Sequence, residues 1–153
     1  MKTKFLSLAT IALFGITSIS CSKSDPDPAP ITQNPLAGTG FSWRENDPNS
    51  TTIQAAASAS FSAQYKTLIA KNAAGNTIFE INLSGTTPAT YNFDSTAANV
   101  FTFTTPNPAF IATSGEFVIT SNVSDKLSGN FKAFIAGTGI TRIYGTVNNV
   151  QVN

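Results

Sequence analysis

Three consecutive stretches decide the fold. They are Gly115-Glu116-Phe117-Val118-Ile119-Thr120-Ser121, Lys126-Leu127-Ser128-Gly129-Asn130-Phe131-Lys132-Ala133-Phe134-Ile135-Ala136 and Thr141-Arg142-Ile143-Tyr144-Gly145-Thr146-Val147-Asn148-Asn149-Val150-Gln151-Val152. The turn-forming segments 122–125 and Gly137-Thr138-Gly139 separate them, so they read as a meander of three strands. Upstream the same grammar continues. Phe41, Trp43 and Glu45 alternate with Ser42, Arg44 and Asn46, and Asn46-Asp47-Pro48-Asn49 makes a turn. Across residues 51–65, Ile53, Ala55, Ala57, Ala59, Phe61, Ala63 and Tyr65 share one face at period two, which favours a strand broken near 58–62 over the helix that alanine alone would prefer.

Residues 66–71 and 77–84 flank Ala73-Ala74-Gly75-Asn76 as a hairpin, with Phe79, Ile81 and Leu83 facing one way and Ile78, Glu80 and Asn82 the other. A turn at 85–88, a short strand at 90–93, a loop at 94–99 and a strand at 100–104 follow, and Pro106-Asn107-Pro108 ends the last of these. No βαβ pattern is present. Residues 39–153 are therefore expected to form one all-β domain, an antiparallel β-sandwich or partly open barrel of about eight to nine strands.

The first 38 residues have a different character. Lys2 and Lys4 precede an apolar run that carries Leu6, Leu8, Ile11, Leu13, Phe14 and Ile16. The run is shorter than the ~20 residues a membrane-spanning helix needs and has the layout of a secretory signal. It ends Ser18-Ile19-Ser20-Cys21, and Cys21 is the single cysteine of the chain. The segment resembles a bacterial lipobox, with small Ser20 before the cysteine and Ser18 where Leu is usual. That resemblance implies a signal peptide at 1–20, cleavage before Cys21 and lipidation of its thiol. The alternative, a secreted protein with a free thiol, leaves a reactive group without a partner for a disulfide. Residues 21–38, with Asp25-Pro26-Asp27-Pro28-Ala29-Pro30, read as a disordered tether, because proline removes backbone donors and restricts its neighbours. At about 3 Å per residue such a tether reaches roughly 50 Å. Ser24, Asp25 and Asp27 resemble an acidic surface-export signal, and serve equally as a solvated spacer.

Charge is sparse: Asp, Glu, Lys and Arg make up 11% of the chain and the formal net charge is +1. Removal of Lys2 and Lys4 with the signal leaves seven basic against eight acidic residues, a net −1. No basic patch is available for phosphates, which disfavours nucleic acid as a partner. The core-forming potential is instead high, with 41% hydrophobic residues and 12 Phe.

Several segments together carry a family likeness: Phe41-Ser42-Trp43-Arg44-Glu45-Asn46, Phe79-Glu80-Ile81-Asn82-Leu83, Ser114-Gly115, Lys126-Leu127-Ser128-Gly129-Asn130-Phe131 and Gly145-Thr146-Val147-Asn148-Asn149-Val150-Gln151-Val152. On these the chain resembles a family of small uncharacterised Bacteroidetes-type lipoproteins with a single β-sandwich-like domain. The resemblance implies a fold and an outer-membrane location in the cell envelope, and brings no activity with it.

Chemistry is scarce. The chain has no histidine, which removes the usual general base, the commonest metal ligand and any Ser-His or Cys-His pair. No catalytic residue, metal site or cofactor is expected. Glu45, Asp47, Glu80, Asp94, Glu116 and Asp125 are scattered and fit no paired-carboxylate or calcium-loop spacing. The candidate ligand-binding residues are Trp43 with Arg44, Tyr91 and Tyr144, which on an exposed face would stack on and hydrogen-bond a glycan; Tyr65 belongs to the same class. The competing reading places these rings in or around the core. Asp94-Ser95-Thr96 resembles an acceptor triplet for O-glycosylation at Ser95. The sequence therefore reads as a non-enzymatic envelope lipoprotein, tethered to the membrane through Cys21, with a β domain for binding or support. The alternative is a glycan- or ligand-binding module, and an envelope protein is the other partner class.

Overall fold

The computed structural model describes residues 40–94, 98–104, 109–137 and 139–153. All regular structure among them is β: β1 (Gly40–Glu45), β2 (Gln54–Ala55), β3 (Ser58–Ser62), β4 (Thr67–Lys71), β5 (Thr77–Asn82), β6 (Ala89–Asp94), β7 (Val100–Phe103), β8 (Phe110–Ile111), β9 (Ser114–Val123), β10 (Lys126–Phe134) and β11 (Arg142–Val152). The segments expected to form a signal peptide and a tether, with Cys21, lie outside the described residues.

Strand β11 organises the sheet. Along one flank it pairs with β10 for almost its whole length. Along the other it serves two partners in succession. Ile143 to Asn148 pair antiparallel with β1, and Gln151 and Val152 pair parallel with Ser60 and Phe61 of β3. The sheet therefore runs β6-β9-β10-β11-β3-β4-β5-β7-β8, with β1 and β2 branching from β11. Its two wings curl over one another into a partly open barrel. The core lies between them, where Phe41 of β1 meets Phe79 of β5 at 5.0 Å and Phe131 of β10 meets Phe101 of β7 at 5.5 Å. The β9–β10 turn of the meander forms where the sequence predicts it. Ser124 and Asp125 both take positive φ (52° and 55°), the geometry of a two-residue hairpin turn whose twist matches its strands.

One cross-strand row explains how the core closes. Tyr91 on β6 pairs with Phe117 on β9, Phe117 with Phe131 on β10, Phe131 with Gly145 on β11, and Gly145 with Trp43 on β1. Five strands thus present four aromatic rings and one glycine to the same side. The glycine is a steric requirement. A Cβ at position 145 would meet Cζ of Phe131 at 2.0 Å. The empty place beside Gly145 receives the Phe131 ring, which then stacks on Phe41 at 5.1 Å and lies parallel to Phe117 at 6.1 Å. A buried Phe contributes about 1.5–3 kcal/mol by transfer from water. The part-exposed ion pair of Lys132 and Glu116, at 3.0 Å, contributes less than about 1 kcal/mol. Ring packing, and not charge, therefore holds the wings together.

The open seam between β6 and β7 is laced by Asn99. Its Nδ2 donates to the Asn92 carbonyl at 3.0 Å and its Oδ1 accepts the Ser84 N–H at 2.6 Å. Nearby, the Tyr91 hydroxyl donates to the Thr87 carbonyl at 2.7 Å and so ties the β5–β6 turn to the core.

Four details differ from the sequence expectation. One strand pair is parallel. Strand β8 is present, a two-residue strand that its short alternation could not reveal. The break in residues 51–65 falls between β2 and β3, where the Ala56 and Ala57 amides donate to Phe41 and Lys71 instead of continuing the ladder. Ile78 is buried although its neighbours Phe79 and Ile81 are buried too, because the β4–β5 register shifts between Ala70 and Lys71 and the extra residue turns Ile78 inward.

Gly145→Ala is expected to lower stability by about 3 kcal/mol, since neither the Phe131 ring nor the β11 backbone can yield without breaking other packing. Urea midpoints measure this. In a double-mutant cycle, Phe131→Leu should recover part of the loss, so that the double variant is more stable than the sum of the single effects.

Candidate functional site

The registers assign the loops to two ends of the barrel. At one end lie Gly40, the β9–β10 turn and the β3–β4 turn. These two turns bracket the last residues of β11: Val152 N–H donates to Asp125 O and Ala63 N–H donates to Asn153 O, both at 2.9 Å. At the other end lie the β1–β2 connection, the β4–β5 turn and the β10–β11 connection. A depression of about 500 Å³ opens there, lined by Trp43, Glu45, Gln54, Ala55, Asn72, Ile78, Phe103 and Ile140.

Its polar wall is a small fixed network. Alternation on β1 brings Trp43 and Glu45 to the same side, and β2 pairs Gln54 directly opposite Trp43. Oε1 of Glu45 accepts from Trp43 Nε1 at 3.2 Å and from Gln54 Nε2 at 2.7 Å. The Trp43 ring is fixed from behind by an edge contact with Phe79 at 4.9 Å. The Asn72 side chain holds its own turn, with Oδ1 accepting Ala74 and Asn76 N–H at 3.0 Å each. The opposite wall is apolar, from Ile78, Phe103 and Ile140.

Asn46 anchors the rim. It takes a positive φ of 63°, a conformation that Asn tolerates better than other side-chain-bearing residues. Its Oδ1 accepts Thr141 N–H at 2.8 Å, its Nδ2 donates to Gly139 O at 2.9 Å and its own N–H donates to Arg142 O at 2.8 Å. One side chain thereby fixes the loop that carries Ile140 against the end of β1.

The depression can bind, with one carboxylate, two carboxamides and an apolar wall. Among the described residues Glu45 is the carboxylate that lines it, where glycoside hydrolysis uses two across the scissile bond. Three other carboxylates are engaged elsewhere. Glu116 pairs with Lys132, Asp47 accepts the Asn49 N–H at 2.8 Å in a turn, and Oε1 of Glu80 accepts from Asn82 Nδ2 at 3.2 Å. Among the described residues no group of three or more Cys, Asp or Glu is placed to hold a metal ion.

The sequence candidates are not brought together. Trp43 and Tyr91 are core residues, 5% and 7% exposed. Tyr144 is 6% exposed on the opposite face of β11, flanked in register by Arg44 and Lys132. Arg44 Nε donates to the Ser50 carbonyl at 2.8 Å and braces the β1–β2 connection. An exposed aromatic row of Trp43, Tyr91 and Tyr144 is therefore absent, and the physical reason is the cross-strand row that draws Trp43 and Tyr91 inward. Ser95 lies outside the described residues. The tyrosine that does face solvent is Tyr65, 73% exposed, which alternation placed on one face with Phe61, a fully buried ring. The chain turns at residues 63–66, so the count of two loses its phase before Tyr65. Lys66, with a φ of 55°, marks that turn, and the sequence gives no strong glycine or proline signal for it.

Two measurements check this site. Trp43 emission should be blue-shifted and poorly quenched by acrylamide, in keeping with its burial. Asn46→Ala should cost about 1–3 kcal/mol in urea unfolding, and Asn46→Gly less, because glycine keeps the backbone conformation and loses only the side-chain hydrogen bonds.

No family model, no curated protein and no solved structure matches this chain.

Proposed function

We propose that this protein is a lipid-anchored, non-enzymatic component of the cell envelope, held in the outer membrane through Cys21, whose β domain binds or supports other envelope material. The observation that carries the reading is the lone Cys21 at the end of a signal-length apolar run, followed at once by a proline-rich tether. Two or three acyl chains on that residue give firm anchoring, at about 0.8 kcal/mol per buried methylene. The likeness to Bacteroidetes-type lipoproteins points the same way. The lack of histidine and the single carboxylate in the depression favour binding over catalysis.

Gly40 and the depression around Glu45 and Gln54 lie at opposite ends of β1. A tether of roughly 50 Å would give the domain reach from the bilayer. The ligand-binding reading therefore attaches to this depression rather than to an exposed aromatic face.

Metabolic labelling with a fatty-acid analogue tests the anchor. The wild type should carry label and partition with membranes, and Cys21→Ala should lose both. Label on the Cys21→Ala variant, or an unlabelled wild type, would refute lipidation at this position. Protease shaving of intact cells distinguishes the surface face from the periplasmic one.

A further inference from the structure

A second concavity lies far from the depression, on the outer face of β3 and β4 beside the β3–β4 turn. It is a groove of about 260 Å³ lined by Ser60, Ser62, Tyr65, Thr67, Ile69 and Asn153. Three properties distinguish it. First, no Lys, Arg, Asp or Glu side chain is among its lining residues; their polar side chains are hydroxyls and one carboxamide. Second, Tyr65 at its rim is the most exposed of the large hydrophobic residues described, at 73% against 65% for Val123 and 61% for Ile111. Third, the turn that presents the ring is held in place. Ser62 Oγ accepts the Tyr65 N–H at 3.4 Å, and Thr67 Oγ1 sits 3.0 Å from the Tyr65 carbonyl and 2.6 Å from Asn82 Oδ1. Parallel pairing of β3 with β11 is what places Asn153 beside Ser60 and Ser62. An Asn153 N–H to Phe61 O bond of 2.8 Å fixes it there.

We propose that this groove binds a neutral saccharide. A flat aromatic ring matches the C–H face of a pyranose, and short hydroxyl and amide side chains match its hydroxyls at little cost in side-chain entropy. The absence of cationic side chains in the lining argues against phosphate- or carboxylate-bearing ligands, which call for Arg or Lys in place. It argues equally against an anionic lipid surface: Lys66, the cation next to Tyr65, has its ammonium on the Ser84 carbonyl at 3.0 Å. The ring of one sugar lies on Tyr65, and its hydroxyls reach Ser60, Ser62 and Asn153, with Ile69 as the apolar floor. This site is independent of the lipid anchor and of the depression around Glu45.

The test uses the full chain in detergent micelles, titrated with hexasaccharides of glucose, mannose and N-acetylglucosamine to about 10 mM and read by amide chemical shifts. At least one sugar should shift Ser60, Ser62 and Thr67. Tyr65→Ala should weaken that binding by about tenfold, and Tyr65→Phe should retain it. Ser60→Gln, which puts a longer side chain into the groove, should likewise weaken it, and the amide spectrum of each variant reports whether it is folded. Three results would overturn the proposal: no shift with any of the sugars, shifts confined to Trp43 and Gln54, or Tyr65-dependent binding of the Cys21→Ala chain to phosphatidylglycerol vesicles in place of sugar.

Discussion

The Phe131 ring can occupy the centre of this barrel only because position 145 has no side chain. Gly145 faces Phe131 on one strand and Trp43 on another, and the space it leaves is the space the ring fills. From that seat Phe131 touches Phe41, Phe79, Phe101 and Phe117, rings drawn from both wings of the sheet. The curl of the sheet and the closure of its core are therefore one event. A side chain at 145 would push Phe131 off the row, and the wings would lose their shared contact. Glycine in a strand interior is ordinarily a weakness, since it adds backbone entropy and packs nothing. Here an aromatic neighbour across the strand covers it and turns the deficit into a socket.

A chain with so little charge needs another means of fixing its loops, and asparagine supplies it. Asn46 joins β1 to the β10–β11 connection, Asn72 shapes the β4–β5 turn, and Asn99 laces the seam between β6 and β7. Asn122 Nδ2 adds a bond to Thr86 O at 2.8 Å. A carboxamide can donate and accept at once, as Asn46 and Asn99 do, so one side chain satisfies two backbone groups. These bonds are insensitive to pH and only weakly sensitive to salt, unlike ion pairs. The arrangement suits a domain that meets changing conditions outside the cytoplasm, as the proposed location requires.

Much of the fold was legible because its signals are local. Phe79, Ile81 and Leu83 face the core as their alternation indicates, and Phe41 and Trp43 do the same on β1. The meander was legible because 122–125 carries turn residues. The parallel contact of β3 with β11 was not, since the partners lie about ninety residues apart and neither carries a mark of the other. The exposure of Tyr65 was hidden from the alternation for a different reason. Periodicity counts assume an unbroken strand, and the turn at 63–66 contains neither glycine nor proline to announce itself. The depression was half legible. Trp43 and Glu45 stood out as a pair, but the partner that completes them, Gln54, comes from a two-residue strand too short to leave a pattern.

The distribution of rings then bears on where binding can occur. Eight phenylalanines, Trp43, Tyr91 and Tyr144 are buried, each held by a register partner or a core contact. An aromatic that already stacks on neighbours cannot also offer its face to a ligand without breaking the core that positions it. The two proposed binding surfaces use what the core leaves over: the edge of Trp43 with its bound Glu45 at one end, and the exposed ring of Tyr65 at the other. The two differ in kind. The first is an indole N–H already committed to a carboxylate, which favours hydrogen bonding to the remaining groups of the network. The second is an open ring above hydroxyls, which favours stacking.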